Sequence, residues 1–277
     1  LKLNSLVTDI QDLFAQGYQA VFLAVGAHKS LRLEVEGDNL QGVLPGIDFL
    51  REVNLAGREI QNLGRVAVIG GGNTAIDCAR TAKRLGASEI SIVYRRSRAE
   101  MSADPREIDE AEHEGVKLVF LAAPTKIAGQ DGKVTGLTCI RMQLGEPDAS
   151  GRRRPVPIPG SEFPLPMDTV IAAVSQSPDL SLAPGLTVTR SGAAGADDTL
   201  ATNLPGVFAG GDAATGPAFV VDAIAAGHQA ARSIENYLHV QEGEPTAPPE
   251  TSIPPVKLTQ QEVDARLERG EIVRRGR

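Results

Sequence analysis

Residues 66–77 read VAVIGGGNTAID: an apolar run, then three consecutive glycines, then the start of a helical pattern. Gly70, Gly72 and Ala75 match the spacing G-x-G-x-x-G/A. At that spacing the first glycine permits a tight strand-to-helix turn. The second leaves the backbone bare where a diphosphate must approach, and the small third residue lets helix and strand pack closely. Gly71, Asn73 and Thr74 complete the turn and open the helix, whose first N–H groups and positive dipole end attract anions. The chemistry these residues suit is capture of a dinucleotide pyrophosphate. The alternative is a glycine turn that only packs. The context favours capture: an apolar strand stands before the turn, a helix comes after it, and a second strand lies at the right distance. Ala75, Ala79 and Ala82 continue a small-residue face along that helix.

The end of the second strand selects the dinucleotide. An NAD site usually presents Asp or Glu about 20 residues after the glycines, to hold the ribose hydroxyls. Here the segment is Tyr94-Arg95-Arg96-Ser97-Arg98. A carboxylate would repel a 2′-phosphate, whereas guanidinium groups pair with phosphate bidentately. Arg95 and Arg96 therefore point to NADP(H) rather than NAD(H), with Tyr94 beside them. The alternative is a solvated basic turn in which Tyr94 only packs.

A second glycine loop lies far downstream, in GVFAGGDAATGPAFVVDAIAAGHQAA (206–231). A strand is expected to end at Gly210-Gly211-Asp212, and a helix to begin near Pro217 or Ala218. A carboxylate such as Asp212 at a strand end accepts hydrogen bonds from sugar-alcohol hydroxyls. The helix N-terminus behind Gly216 suits a developing negative charge.

The elements that position these residues alternate between strand and helix, which predicts α/β architecture around a parallel sheet. Expected elements are an amphipathic helix at 5–16 with Leu6, Ile10, Leu13 and Phe14 on one face, a strand at 18–27 and a helix at 46–55. Strand 66–69, helix 74–85, strand 89–96 and a charged helix at 106–115 come next. Gln130-Asp131-Gly132-Lys133 reads as a hairpin turn between antiparallel strands. Residues 152–166 read as a proline-interrupted loop and 167–179 as a buried strand. A proline-rich linker is expected after Val240 and a short helix at 259–271.

The 277 residues suffice for one large or two ordinary domains, and 42% hydrophobic with 23% charged residues fits a globular protein. A net charge of −7 argues against nucleic acid as a partner. No apolar run approaches the roughly 20 residues that cross a bilayer. The chain begins at Leu1 and reads as a piece of something longer. Cys78 and Cys139 form neither a C-x-x-C pair nor a zinc spacing, so a cytoplasmic setting is expected. His28, His113, His228 and His239 have no ligand or triad setting. No catalytic acid, base, nucleophile or metal ligand is assigned.

With FLAVGA at 22–27 and VIAAVSQSPD at 170–179, the layout resembles two-dinucleotide flavoprotein reductases of the pyridine nucleotide-disulfide oxidoreductase type. Within them it is most similar to the glutamate synthase small (β) subunit group, whose relatives include NADPH-oxidising modules of dihydropyrimidine dehydrogenase and electron-bifurcating transhydrogenases. The resemblance covers residues 1 to about 240. It implies a Rossmann-like NADP-binding domain (65–175) inserted in a partial FAD-binding domain (1–64 and 176–240), a three-layer parallel sheet with antiparallel crossover, and a tail at 241–277. It further implies that Gly26, Gly211 and Asp212 lie at FAD, that Gly216, Pro217 and Ala218 lie near the flavin ring, and that NADPH passes hydride to FAD. Electrons would continue to an iron–sulfur domain or a larger synthase subunit. The FAD fingerprint of such proteins lies upstream of anything in this sequence. The chain alone is therefore expected to bind NADP(H), to lack FAD and activity, and to expose an apolar edge that favours a homo-oligomer. The competing expectation is a non-catalytic NADP-binding or subunit-docking module.

Overall fold

The computed structural model describes residues 1–55, 62–148, 151–242 and 269. Two compact units divide the chain, Leu1–Glu235 and Asn236–Arg277, and every strand described lies in the first. The N-terminal segment carries α1 (Gln11–Ala15), β1 (Val21–Leu23), β2 (Lys29–Ser30), β3 (Val43–Pro45) and α2 (Gly46–Leu55). Next come β4 (Arg65–Ile69), α3 (Asn73–Arg84), β5 (Glu89–Tyr94), α4 (Pro105–His113) and β6 (Lys117–Phe120). An antiparallel section is then built from β7 (Ala122–Gln130), β8 (Lys133–Pro147), β9 (Arg153–Pro157) and β10 (Phe163–Leu165). The chain returns through β11 (Thr169–Ala172), β12 (Gln176–Ser177), β13 (Val207–Ala209), α5 (Asp212–Thr215) and α6 (Val220–Glu242).

The centre is a five-stranded parallel sheet in the order β3-β11-β4-β5-β6. Its three inner strands, β11, β4 and β5, are buried on both faces because alternate residues serve different layers. Val66, Val68, Ile90 and Ile92 pack with Phe49, Ile76, Cys78, Ile108 and Ala111 of the helices. Ala67, Ile69, Val93 and Val170 pack instead with Ile127, Val134, Leu137 and Cys139 of the β7–β8 hairpin. Helices, parallel sheet and antiparallel ribbon thus make the three layers of the expected α/β architecture. Two-stranded parallel pairing of β1 with β13 joins the early and late parts of the chain. Ile10, Leu23, Val207 and Ala209 form their common core.

The hairpin turn is as expected. Gln130 pairs with Lys133, and Asp131 and Gly132 both have positive φ, 51° and 77°, as an Asp-Gly two-residue turn requires. Four expectations change. The first helix starts late: Asp9 accepts the Gln11 N–H at 2.8 Å, α1 is only Gln11–Ala15, and Leu6 is exposed. The strand expected over 18–27 shortens to Val21–Leu23, the stretch that pairs with β13. Residues 152–166 are not a loop: β9 and β10 flank β8, and Pro155 and Pro157 are tolerated because β9 pairs only with β8. The long helix begins at Val220 rather than at 217 or 218, with the Phe219 carbonyl accepting the Asp222 and Ala223 N–H groups. The linker after Val240 and the helix expected at 259–271 fall, apart from Gln241, Glu242 and Arg269, outside the described residues. Among the described residues no helix is long and apolar enough to cross a membrane.

One ion pair closes the sheet at the foot of β4. The Asp168 carboxylate accepts the Arg65 backbone N–H at 2.8 Å and its guanidinium at 2.9 and 2.8 Å. A Cβ at Gly64, whose φ is +59°, would lie 2.6 Å from that carboxylate. Hydrogen bonds from Arg65 hold Asp168 down to about 2, from an ordinary 3.8. A depressed carboxyl stabilises the fold above its unfolded value and ceases to do so as pH falls through the folded one. Both side chains are about two-fifths exposed (39% and 43%), so screening limits the effect. Asp168→Asn is therefore expected to lower Tm at pH 7 by only about 2–4 °C. Thermal melts should show that difference shrinking between pH 4 and 2; a difference independent of pH would contradict this account.

Candidate functional site

The glycines at 70–72 do three different jobs. Gly70 has φ +147°, and a Cβ there would sit 2.2 Å from the Ala173 carbonyl oxygen. A Cβ at Gly71 would meet the Tyr94 ring at 2.5 Å. The fold itself demands both. Gly72 is different: its backbone is extended (φ −100°, ψ 177°), and a Cβ would meet only Ser102 Oγ, at 3.3 Å. The fold does not account for a glycine there, so the space it leaves open is space in the cleft.

Beyond the turn, α3 starts at Asn73. Among the described residues the N–H groups of Gly71, Gly72, Asn73 and Thr74 have no protein acceptor. Unpaired amides at the N-terminus of a twelve-residue helix are of the kind that suits an anion. Side chains brace it: Asn73 Oδ1 accepts the Asp104 N–H at 3.1 Å, and Gln176 Nε2 donates to Thr74 Oγ1 at 2.9 Å. The Gly71 carbonyl accepts the N–H groups of Ser102 and Ala103. Ala75 is fully buried in the helix–sheet core, as a small residue at this spacing should be.

The arginines after β5 divide their roles. Arg95 is exposed and, among the described residues, makes no ion pair. Arg96, expected to pair with the 2′-phosphate together with Arg95, is only 6% exposed, with one guanidinium N–H on Asp148 Oδ2 at 2.7 Å and another on the Arg153 carbonyl at 2.8 Å. Arg98 pairs with Asp109 and Glu112 of α4. Tyr94 packs on Gly71, and its hydroxyl donates to the Glu100 carbonyl at 2.7 Å. Ser97 and Glu100 form a reciprocal capping box at a single 3₁₀ turn over Arg98–Glu100, and hydrogen bonds from Ser97 hold the Glu100 carboxyl below its ordinary range.

The second glycine loop comes after β13. A Cβ at Gly210 would meet the Phe22 ring at 2.9 Å, while Gly211 turns with φ +59°. Asp212 Oδ1 accepts the Ala218 N–H at 3.1 Å, which folds the loop over Gly216 (φ +79°) and Pro217 back toward α5. Gly26 also has positive φ, +68°, with open space where a side chain would stand.

Two hollows result. A cleft of about 1060 Å³ is lined by Gly70–Thr74, by Tyr94, Arg95 and Arg96, by Ala172–Gln176, and by Pro217, Ala218 and Phe219. A smaller pocket of about 220 Å³ is lined by Gly26, Gly211, Asp212, Ala218 and Phe219. Ala218 and Phe219 belong to both. Sequence reasoning missed Ser102, Arg152 and Gln176, which also line the cleft. Only the Arg152-Arg153-Arg154 run carried a local signal, and it read as part of a loop. Phe219, Val220, Val221 and Ile224 leave an exposed apolar stripe at the start of α6. Burial pushes the Cys78 and Cys139 thiols up to about 12, so both stay protonated near neutral pH.

The chain is 49% identical over 239 residues to the NADP(+)-dependent formate dehydrogenase subunit beta of Moorella thermoacetica, covering 85% of this chain and 34% of that protein. It is 43% identical over 234 residues to a putative glutamate synthase [NADPH] small chain of Cereibacter sphaeroides, covering 80% and 56%. The chain thus spans between a third and rather more than half of these relatives. In fold it is similar to Mycobacterium tuberculosis FprA in complex with NADPH, with a TM-score of 0.70 at 22% identity over 87% of this chain and 69% of that one. The pyridine nucleotide-disulphide oxidoreductase family matches residues 2–227, with a glycine turn, a basic strand end and a second glycine loop all inside the match, and the chain belongs to that family.

Proposed function

We propose that this chain is the NADPH-binding part of a flavin oxidoreductase resembling the glutamate synthase small subunit. The observation that carries the reading is the shared wall: Ala218 and Phe219 line both the cleft at the glycine turn and the pocket at Gly26 and Asp212. When both are bound, NADPH supplies a hydride to FAD, a transfer that asks the protein mainly for position. The amides of residues 71–74 suit the NADPH pyrophosphate, and the open space at Gly72 admits it. Arg95 faces the 2′-phosphate. Gly26, Gly211 and Asp212 suit the ribityl and pyrophosphate region of FAD, with Gly216, Pro217 and Ala218 at its ring. The NADP-binding domain is read as residues 65–175 with β3 and α2 added, since β3 is hydrogen-bonded to β11. Residues 1–42 and 176–240 are read as parts of an FAD-binding domain.

The names of the relatives support NADP(H) as the nucleotide and membership of a larger assembly. Electrons would pass onward to iron–sulfur centres or a partner subunit. The exposed stripe from Phe219 to Ile224 supports cover by a further domain, a partner or a second copy.

Two substitutions separate ligand space from fold. Gly71→Ala drives a methyl into the Tyr94 ring and is expected to cost about 1–3 kcal/mol of stability. Gly72→Val should leave far-UV circular dichroism unchanged and abolish NADPH binding in fluorescence titrations. A Gly72→Val protein that binds NADPH normally would remove the phosphate from this turn.

The pocket at Asp212 holds about 220 Å³, below the roughly 300–1,000 Å³ of ordinary ligand sites. The 277-residue chain is therefore expected to purify colourless, to bind NADPH, and to show negligible NADPH oxidation. Stoichiometric flavin absorbance in the purified chain would overturn this expectation.

A further inference from the structure

Arg152 lines the same cleft as Arg95 although it comes from the antiparallel ribbon, 57 positions further along the chain than Arg95. The turn that carries it is built on Asp148. The Asp148 N–H donates to the Arg152 carbonyl at 2.8 Å, and the Arg152 N–H donates to Asp148 Oδ1 at 3.3 Å. The other carboxylate oxygen accepts from Arg96 at 2.7 Å, and Arg96 also donates to the Arg153 carbonyl. Arg96 is thus a buried clasp between the end of β5 and the β8–β9 turn. Arg153 bonds back to the Leu144 and Gly145 carbonyls. In the run of arginines, therefore, Arg153 secures the ribbon and Arg152 lines the cleft.

We propose that Arg152 is a second specificity residue for the 2′-phosphate of NADPH, held at the same cleft as Arg95 by the Arg96–Asp148 clasp. This rests on the nucleotide reading of the cleft. A phosphomonoester is close to a dianion at neutral pH and offers three acceptor oxygens, more than one exposed guanidinium satisfies. NADH lacks that group, so Arg152 contributes nothing to its binding. Arg96 and Asp148 are positioning residues: they set the turn that carries Arg152 without touching the phosphate.

The test titrates the full chain and its variants with NADPH, NADH and 2′,5′-ADP, with a thermal melt of each. Arg152→Ala should weaken NADPH and 2′,5′-ADP by about tenfold or more, the worth of one charge-assisted contact, while NADH changes by less than about twofold. Asp148→Asn should also weaken NADPH, and Arg152→Ala added to it should cost less than it does alone, because the two act as one unit. Unchanged binding of NADPH and 2′,5′-ADP in Arg152→Ala, or an equal loss for NADH, overturns the assignment while leaving the nucleotide reading intact. A wild-type chain that binds neither nucleotide overturns both.

Discussion

The site depends on how closely the chain passes itself between β4 and α3. At Gly70 the backbone lies against the Ala173 carbonyl, and at Gly71 it lies under the Tyr94 ring, with no room for a methyl at either place. That closeness makes the turn tight and delivers α3 with its first amides unpaired among the described residues. Buried backbone N–H groups are nearly always bonded, so a row of unpaired ones is tolerated only where water or a ligand reaches them. The cleft meets that condition. Its floor is the carboxyl end of β4, β5 and β11, where open α/β sheets bind their ligands.

The same crowding explains why the surrounding layers are as they are. A sheet covered on both faces needs apolar residues at consecutive positions, and Val66 to Ile69 supply them, alternating between helices and ribbon. The ribbon does more than cover. Through Asp148 and Arg96 it is tied to the end of β5, so the layer that completes the core also shapes the basic wall of the cleft. The return segment brings Pro217, Ala218 and Phe219 to the same cleft. Distant parts of the sequence therefore meet at one opening.

Local signals in the sequence carried most of this and failed where distant partners decide. The glycine spacing, the Asp-Gly hairpin and the alternation of strands with helices are short-range rules, and the structure obeys them. Leu6 looked apolar and in helical phase, but Asp9 starts the helix after it. Pro155 and Pro157 looked like loop residues because an edge strand is invisible without its neighbour β8. Arg95 and Arg96 looked equivalent; burial against Asp148, 52 residues away in sequence, separates them. Ser102 and Gln176 carry no motif and become visible only as braces of the glycine turn.

The central claim is that a dinucleotide's phosphates meet the amides of residues 71–74. The most direct measurement is backbone amide NMR of the ¹⁵N-labelled chain as NADPH is added. The account predicts that Gly71, Gly72, Asn73 and Thr74 shift most strongly and that their hydrogen exchange slows as the site fills. Saturable NADPH binding that leaves these amides unmoved, while residues outside the cleft respond, would contradict it.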